Sequence, residues 1–269
     1  MKVLEKFKSL DPAESTLPLL VFDIETVRSC DVLPKEGPVF DAWAYQRRKE
    51  DELEYEVLAK SFSSDAPLYS AFCKVVSVSF GFYKGGEVYI KSFASQDEVS
   101  LLTDVSDFLN SKAVRENFSL AGFAIKGYDI PVLCKRYLSC GLPVPDILDN
   151  STKKPWEVDL YDLMEILKLN GFNNESLITA CLLLGVDSPK SNLDGTMISD
   201  LFYSAPEVPK KKSKGKDKDK EEEAPTAEEI KKEHLQQIQQ YCNKDVHATI
   251  NCFLKLLGWD FVKEYKERK

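Results

Sequence analysis

Apolar residues along the chain fall into short runs of strand character and longer segments of helical spacing. The run Leu17 to Ile24, in "LPLLVFDIETV", is rich in β-formers and predicts a first strand. The polar stretch that follows contains "VFDAWAYQRRKEDELEYEVLAKSF", whose helical character predicts an insertion lying over a sheet. "CKVVSVSFGFY" and "GEVYIKSF" read as two strands joined by a hairpin at Gly85-Gly86. Gln96 to Asn110 is helical by spacing, and "FSLAGFAI", Phe118 to Ile125, is a fourth strand. "DIPVLCKRYLSCG" predicts a helix with Pro131 in its first turn and Gly141 at its end. "WEVDL" is a short strand leading into the helical "YDLMEILKLNG". "NNESLITACLLLG" predicts a helix opened by Asn174 and closed by Gly185, and Glu228 to Gly258 one long helix or two.

This order predicts an α/β fold, a mixed sheet of five strands with helices on its faces. Ser204 to Glu229 breaks the pattern, because almost nothing in "SAPEVPKKKSKGKDKDKEEEAPTAEE" is apolar. Such a segment buries too little surface to offset the entropy of ordering, so we expect one domain, residues 1–269, with a flexible charged insertion at 204–229. A basic arm touching phosphates is the alternative, weakened by the aspartates among its lysines.

Composition adds constraints. At 43% hydrophobic residues the chain can build a sizeable core, and a formal charge of −8 argues against bulk attraction to nucleic acid or anionic membrane while allowing a local basic groove. The absence of a long apolar run or a secretory leader predicts a cytoplasmic protein with no membrane contact. Seven cysteines without any CxxC pair point to buried free thiols, and two histidines are too few and too isolated for a zinc site.

Chemistry enters through the fault in the first strand. Residues two apart on a strand share a face, so Asp23 and Glu25 stand side by side, unfavourably unless something positive lies between them. A divalent cation would serve, and hard cations such as Mg²⁺ call for further carboxylates from other elements. Asp129, at a strand-to-helix junction, and Asp245, on the last helix with Tyr241 four residues before it on the same face, are the candidates. Taken singly, Asp129 reads as a helix cap, Asp245 as a surface acid and Tyr241 as a core aromatic.

Taken together, "FDIET", "GFAIKGYDIPVL" and "YCNKD" resemble, in order and context, the three exonuclease motifs of the DEDD superfamily. The third matches the tyrosine variant, Y-x-x-x-D. The segment "SLITACLLLGVDSPKSNLDGTMISDLFY" further resembles exonucleases related to the proofreading domain of family B DNA polymerases, and the likeness runs from about Leu17 to Leu257 without the charged insertion. It implies a ribonuclease H-like fold and 3′–5′ removal of nucleotides, with single-stranded DNA 3′ ends as partner. It also implies two Mg²⁺ or Mn²⁺ ions held by Asp23, Glu25, Asp129 and Asp245, with Tyr241 orienting the attacking water. Weaker candidates for substrate contact are Thr26, Lys126, Tyr128 and Lys190, beside Lys135, Arg136, Lys153 and Lys154 for phosphates and Phe22 and Phe123 for stacking a base. Ala124 stands where related proofreading domains carry Asn. An exoribonuclease using the same residues is the alternative, as is a catalytically silent nucleic-acid-binding module; no residue announces readout of a 2′-hydroxyl.

Overall fold

The computed structural model describes residues 2–48, 54–154, 157–172, 174–189, 193, 195–204 and 226–268. After a 3₁₀ turn at Lys2–Phe7, the strand β1 (Leu19–Arg28) leads into an excursion of two helices, α1 (Pro38–Gln46) and α2 (Tyr55–Asp65). The hairpin follows as β2 (Cys73–Lys84) and β3 (Glu87–Ala94), then α3 (Glu98–Asn110), α4 (Lys112–Asn117) and β4 (Ser119–Gly122). Next come α5 (Asp129–Ser139), β5 (Leu160–Asp162), α6 (Leu163–Lys168), α7 (Leu177–Leu184) and α8 (Ile198–Tyr203). One continuous helix, α9 (Ala227–Leu257), and a last strand, β6 (Tyr265–Glu267), end the described chain.

The sheet is mixed and runs β5-β4-β1-β2-β3-β6, with β2 antiparallel to both neighbours and the other pairings parallel. It has six strands, not the five expected. The sixth pairs Val88, Tyr89 and Ile90 of β3 with Tyr265, Lys266 and Glu267 through backbone bonds. "EYKER" carries no apolar alternation to signal a strand, because an edge strand this short needs only the free backbone of its neighbour. β4 is also shorter than predicted: Phe123 to Ile125 lie in a turn, not a strand. "WEVDL" contributes only its last residue to β5.

Alternation along β1 decides what covers each face. Leu20, Phe22 and Ile24 join Val78, Phe80 and Leu120 under Leu101, Val105 and Leu109 of α3 and Ile130, Leu133 and Tyr137 of α5. Leu19 and Val21 join Ile90 and Ala121 under Val246, Ile250, Phe253 and Leu254 of α9. Helices therefore cover both faces. The α1–α2 excursion closes its own small core around fully buried Trp43, whose indole N–H donates to Leu58 O at 3.1 Å.

Two glycines let the layers approach. A Cβ at Gly81 of β2 would stand 2.7 Å from Val246 Cγ1 and 2.8 Å from Ile250 Cδ1, so α9 rests directly on bare backbone there. A Cβ at Gly122 would meet Phe22 O at 2.7 Å, which marks where β4 leaves β1. Capping differs from expectation at α7, which Ser176 opens with a capping box, not Asn174. Thr226 and Glu229 form the capping box of α9, so the helix claims the end of the charged segment; residues 205–225 of that segment lie outside the described residues.

Candidate active site

Asp23 and Glu25 continue the β1 face that carries Leu19 and Val21, under α9. Their cross-strand partners on β2 are Ser79 and Ser77, both fully buried, so a polar row interrupts the apolar face. The row lies between two apolar clusters. On one side stand Val246, Ile250 and Phe253; on the other, Val27, Val76, Ile198 and Ile238, with Tyr241 packed against them. A β-bulge between Glu25 and Thr26 shifts the register of β1 on β2 at this point, a distortion common next to functional sites.

Asp129 arrives from the other neighbour. β4 pairs with β1 only at Leu19, Leu20 and Val21. Beyond that point Asp129 Oδ1 accepts from the backbone N–H of Ile24 at 3.2 Å, so a carboxylate takes over where the parallel strand has ended. Asp129 is not the N-cap of α5, a position held by Tyr128; it is the first helical residue and is 4% exposed. The strand order reverses between β1 and β4, and crevices at the carboxyl ends of strands at such a switch point are common ligand sites in α/β folds.

Asp245 comes from α9. Its Oδ1 is buried and has no hydrogen-bond partner among the described residues. One turn earlier, Cys242 lies fully buried and its thiol donates to Asp23, at 3.4 Å to Oδ2 and 3.3 Å to the backbone O. Asn243, 2% exposed, accepts from Ser79 Oγ at 2.7 Å and from Ser92 Oγ, pinning α9 to β2 and β3. The strands therefore fix the roll of the helix, and the roll aims Cys242 and Asp245 at the acids.

The electrostatics are those of crowded negative charge. Burial, followed by the neighbouring charges of Glu25, Asp129 and Asp245, holds the Asp23 carboxyl well above the usual carboxylate range. Burial, then Asp245 and Asp129, does the same to Glu25. Burial raises Asp129 to about 7 and Asp245 to about 7, the latter partly opposed by Lys244 at the rim. Four acids from three elements thus feel one another. The Cys242 thiol is pushed up by burial and by Asp23 and Glu25, so it stays protonated and acts as a donor.

The donor set fits a divalent cation. Asp23, Glu25 and Cys242 offer ligand atoms within 4.8 Å of one another, and the orphaned Asp245 oxygen is an acceptor lacking the positive partner that burial demands. Carboxylate oxygens select hard ions such as Mg²⁺ and Mn²⁺. The thiol would favour a softer metal only on losing its proton, which this negative surrounding disfavours.

Beside Glu25 a cavity of about 390 Å³ opens between Ile24, Thr26, Pro67, Leu68, Tyr128 and Thr196. Thr26 Oγ1 and Tyr128 OH lie 2.7 Å apart, and both reach Pro67 O, at 3.0 and 2.8 Å. These hydroxyls thus clamp the residues after α2 against β1 and form the cavity wall. α8 is anchored at the end of β1, where buried Arg28 binds Asp200 at 2.7 Å and its backbone N–H meets Ser199 Oγ at 3.1 Å; this brings Gly195 and Thr196 to the cavity mouth.

Several expected substrate contacts are otherwise engaged. Lys126 Nζ pairs with Glu165 at 3.1 Å, and Arg136 is held by Glu98 at 2.6 Å. Lys153 Nζ donates to Asn150 at 3.1 Å, and Phe22 is core. Phe123 is half-buried against the core beneath α9. Thr26 and Tyr128 do line the cavity, while Lys190 lies outside the described residues. Sequence reasoning missed Cys242, Asn243, Pro67 and the serines of β2. Ser77 and Ser79 did leave a trace, as polar positions in "VVSVSF" on the face of the two acids.

No protein-family model matches the chain, and no curated protein matches it. Among solved structures it is similar to the family B DNA polymerase from the hyperthermophilic archaeon Pyrobaculum calidifontis, at a TM-score of 0.50 and 16% sequence identity. The match covers 89% of this chain and 24% of the polymerase, so the chain spans about a quarter of that protein's length. A likeness at this identity is one of fold, and the mixed sheet with helices on both faces is consistent with a ribonuclease H-like arrangement. Among the described residues no helix is long and apolar enough to cross a membrane.

Proposed function

We propose that the chain is a metal-dependent 3′–5′ exonuclease acting on single-stranded DNA. The observation that carries this is the mutual approach of Asp23, Glu25, Asp129 and Asp245, with one Asp245 oxygen buried and without a hydrogen-bond partner among the described residues. The ordered motifs and the fold likeness to part of a DNA polymerase support nucleic acid as the substrate class.

In this proposal the four carboxylates hold two Mg²⁺ or Mn²⁺ ions. Divalent cations there supply Lewis-acid stabilisation of the charge that builds on phosphodiester oxygens. Asp129, fixed by the Ile24 amide, and Asp23, fixed by the Cys242 thiol, are preset in orientation before substrate arrives. Tyr241 stands one turn before Asp245 and orients the attacking water. The cavity beside Glu25 receives the terminal nucleoside, with Ile24, Pro67 and Leu68 excluding water from the scissile bond.

The test is direct. Purified protein with Mg²⁺ or Mn²⁺ should shorten 5′-labelled single-stranded DNA into a ladder and release mononucleotide from 3′-labelled strands, and EDTA should stop both. Asp23→Asn and Asp129→Asn should each lower the rate by roughly 10²-fold or more. Undiminished digestion by both variants would refute the assigned site, and faster digestion of a matched RNA would reassign the substrate.

A further inference from the structure

Two of the four acids are held by donors of this chain, Asp129 by the Ile24 amide and Asp23 by the Cys242 thiol. Glu25 is buried and accepts no hydrogen bond from the described residues. Directly across from it on β2 stands Ser77. That residue is fully buried, and its Oγ has no hydrogen-bond partner among the described residues. A buried hydroxyl left unpaired costs the fold the desolvation of the group, so a serine at this point calls for an explanation. Packing does not supply one, since the neighbouring positions facing α9 are filled by Val27 and Val76.

The register brings the two side chains together. Directly opposed residues of an antiparallel pair share a face, with Cβ atoms about 4.5–5.5 Å apart. A glutamate side chain spans that gap by rotation alone. Ser79, two residues along the strand, donates to Asn243 of α9 at 2.7 Å, so Ser77 shares the face toward the helix. Between Glu25 and Thr26 the opposing residue moves from Ser77 to Val75, which leaves Val76 as the extra residue of the bulge. Val76 packs with Val27 and Ile238 on the side of α9, whereas Val75 packs with Ile24 and Leu133 on the other. The bulge thus keeps two consecutive residues of β2 facing α9, and the hydroxyl is the one set opposite Glu25.

We propose that Ser77 is a positioning residue for Glu25: its hydroxyl donates to the Glu25 carboxylate when that carboxylate turns to hold a divalent cation. This rests on the metal-dependent function proposed above. An ionised carboxylate has more lone pairs than one ion uses, and a donor to a remaining lone pair fixes the ligand's orientation. Each of the two acids of β1 then has a donor of its own, Cys242 for Asp23 and Ser77 for Glu25. The difference is that the second bond forms only with the ion.

Calorimetric titration of the full chain with Mn²⁺, beside thermal unfolding in EDTA, tests this without catalysis. Ser77→Ala should weaken Mn²⁺ binding by about tenfold or more. In EDTA the same variant should melt at the wild-type temperature or above it, because it removes a hydroxyl that has no partner there. A serine that served only the fold would give the opposite pair of results, a lower melting temperature and unchanged affinity, and that pair overturns the proposal. Ser77→Thr, which keeps the hydroxyl, should bind Mn²⁺ nearly as tightly as wild type. Binding as weak as that of Ser77→Ala by a folded threonine variant would also overturn it; if the added methyl prevents folding, the alanine variant decides alone. Failure of the wild type to bind Mn²⁺ would refute the metal site itself. Binding that depends on Ser77 without any digestion of DNA would refute the nuclease function and leave the role of Ser77 standing.

Discussion

Replacing Asp245 by Asn should stabilise the metal-free protein, and only at neutral pH. Burial raises the Asp245 carboxyl from 3.8 to about 7 in the folded chain. A group whose folded pKa exceeds its unfolded value destabilises the fold once the unfolded state ionises. Below about pH 4 both states are protonated and the penalty is absent; it grows as pH rises and is complete above about pH 7. A shift of about three units corresponds to about 4 kcal/mol at 1.36 kcal/mol per unit. Partial solvent access and the unpartnered amide that Asn would leave reduce the net gain to about 2 kcal/mol. For a chain of this length that is a rise of about 4–8 °C in melting temperature. Thermal unfolding in EDTA from pH 4.5 to 8 should show wild type and variant converging at the acid end and separating towards neutrality. Added Mn²⁺ should then reverse the order, because wild type gains stability by binding the ion and the variant gains less. A variant destabilised by the same amount at every pH would refute the reasoning, since Asp245 would then be a satisfied, ionised group in the metal-free protein.

Three further outcomes follow from single contacts. Ala124 has φ of 59°, a region that costs a side chain about 1–2 kcal/mol, so Ala124→Gly should raise stability by up to about 1 kcal/mol in denaturant titration; a loss would mean the turn adapts to its Cβ. Gly81→Val would place side-chain atoms where Val246 and Ile250 already stand, 2.7 and 2.8 Å from a Cβ; it should cost about 1–3 kcal/mol and lower nuclease rate by shifting α9, so an active, equally stable variant would contradict the packing described. Tyr241→Phe should lower kcat by about 10² while leaving Mn²⁺ affinity, read by calorimetry, unchanged; weakened metal affinity would mean that the hydroxyl serves the cage, not the water.

What the sequence made legible follows the range of the forces involved. Asp23 and Glu25 were visible because two charges in an apolar strand break a local pattern. Asp245 was visible because Tyr241 repeats at helical spacing beside it. The hairpin at Gly85-Gly86 and the helix end at Gly185 obey local backbone chemistry, and both hold. Arg136 was taken for a phosphate contact because its partner, Glu98, lies 38 residues away on another helix. Lys126 and Glu165 repeat the case at 39 residues. β6 was missed for a related reason, since it is held by the free edge of β3, by the Lys266–Glu87 pair and by Tyr265 against His247, all partners distant in the chain. Cys242 looked like an apolar helix residue, and nothing within a helical turn of it in the chain announces that its thiol reaches Asp23, 219 residues earlier.

The turn around Ala124 shows how Asp129 is held in place through backbone bonds alone. The turn from Gly122 to Asp129 must leave β4, pass close under Phe22 O and deliver Asp129 to the Ile24 amide. One carboxylate holds it: buried Asp162 accepts from Ala124 N and Lys126 N, both at 3.0 Å, while capping α6 through Met164 N at 3.0 Å. The backbone of the turn is therefore fixed from β5 and the start of α6, and Ala124 bears a left-handed conformation without a side-chain bond of its own. A polar side chain introduced at position 124 should therefore leave Asp129 in place. The carboxylate is placed by backbone bonds to Asp162 and not by the side chain at 124, so substitution at position 124 should spare Asp129.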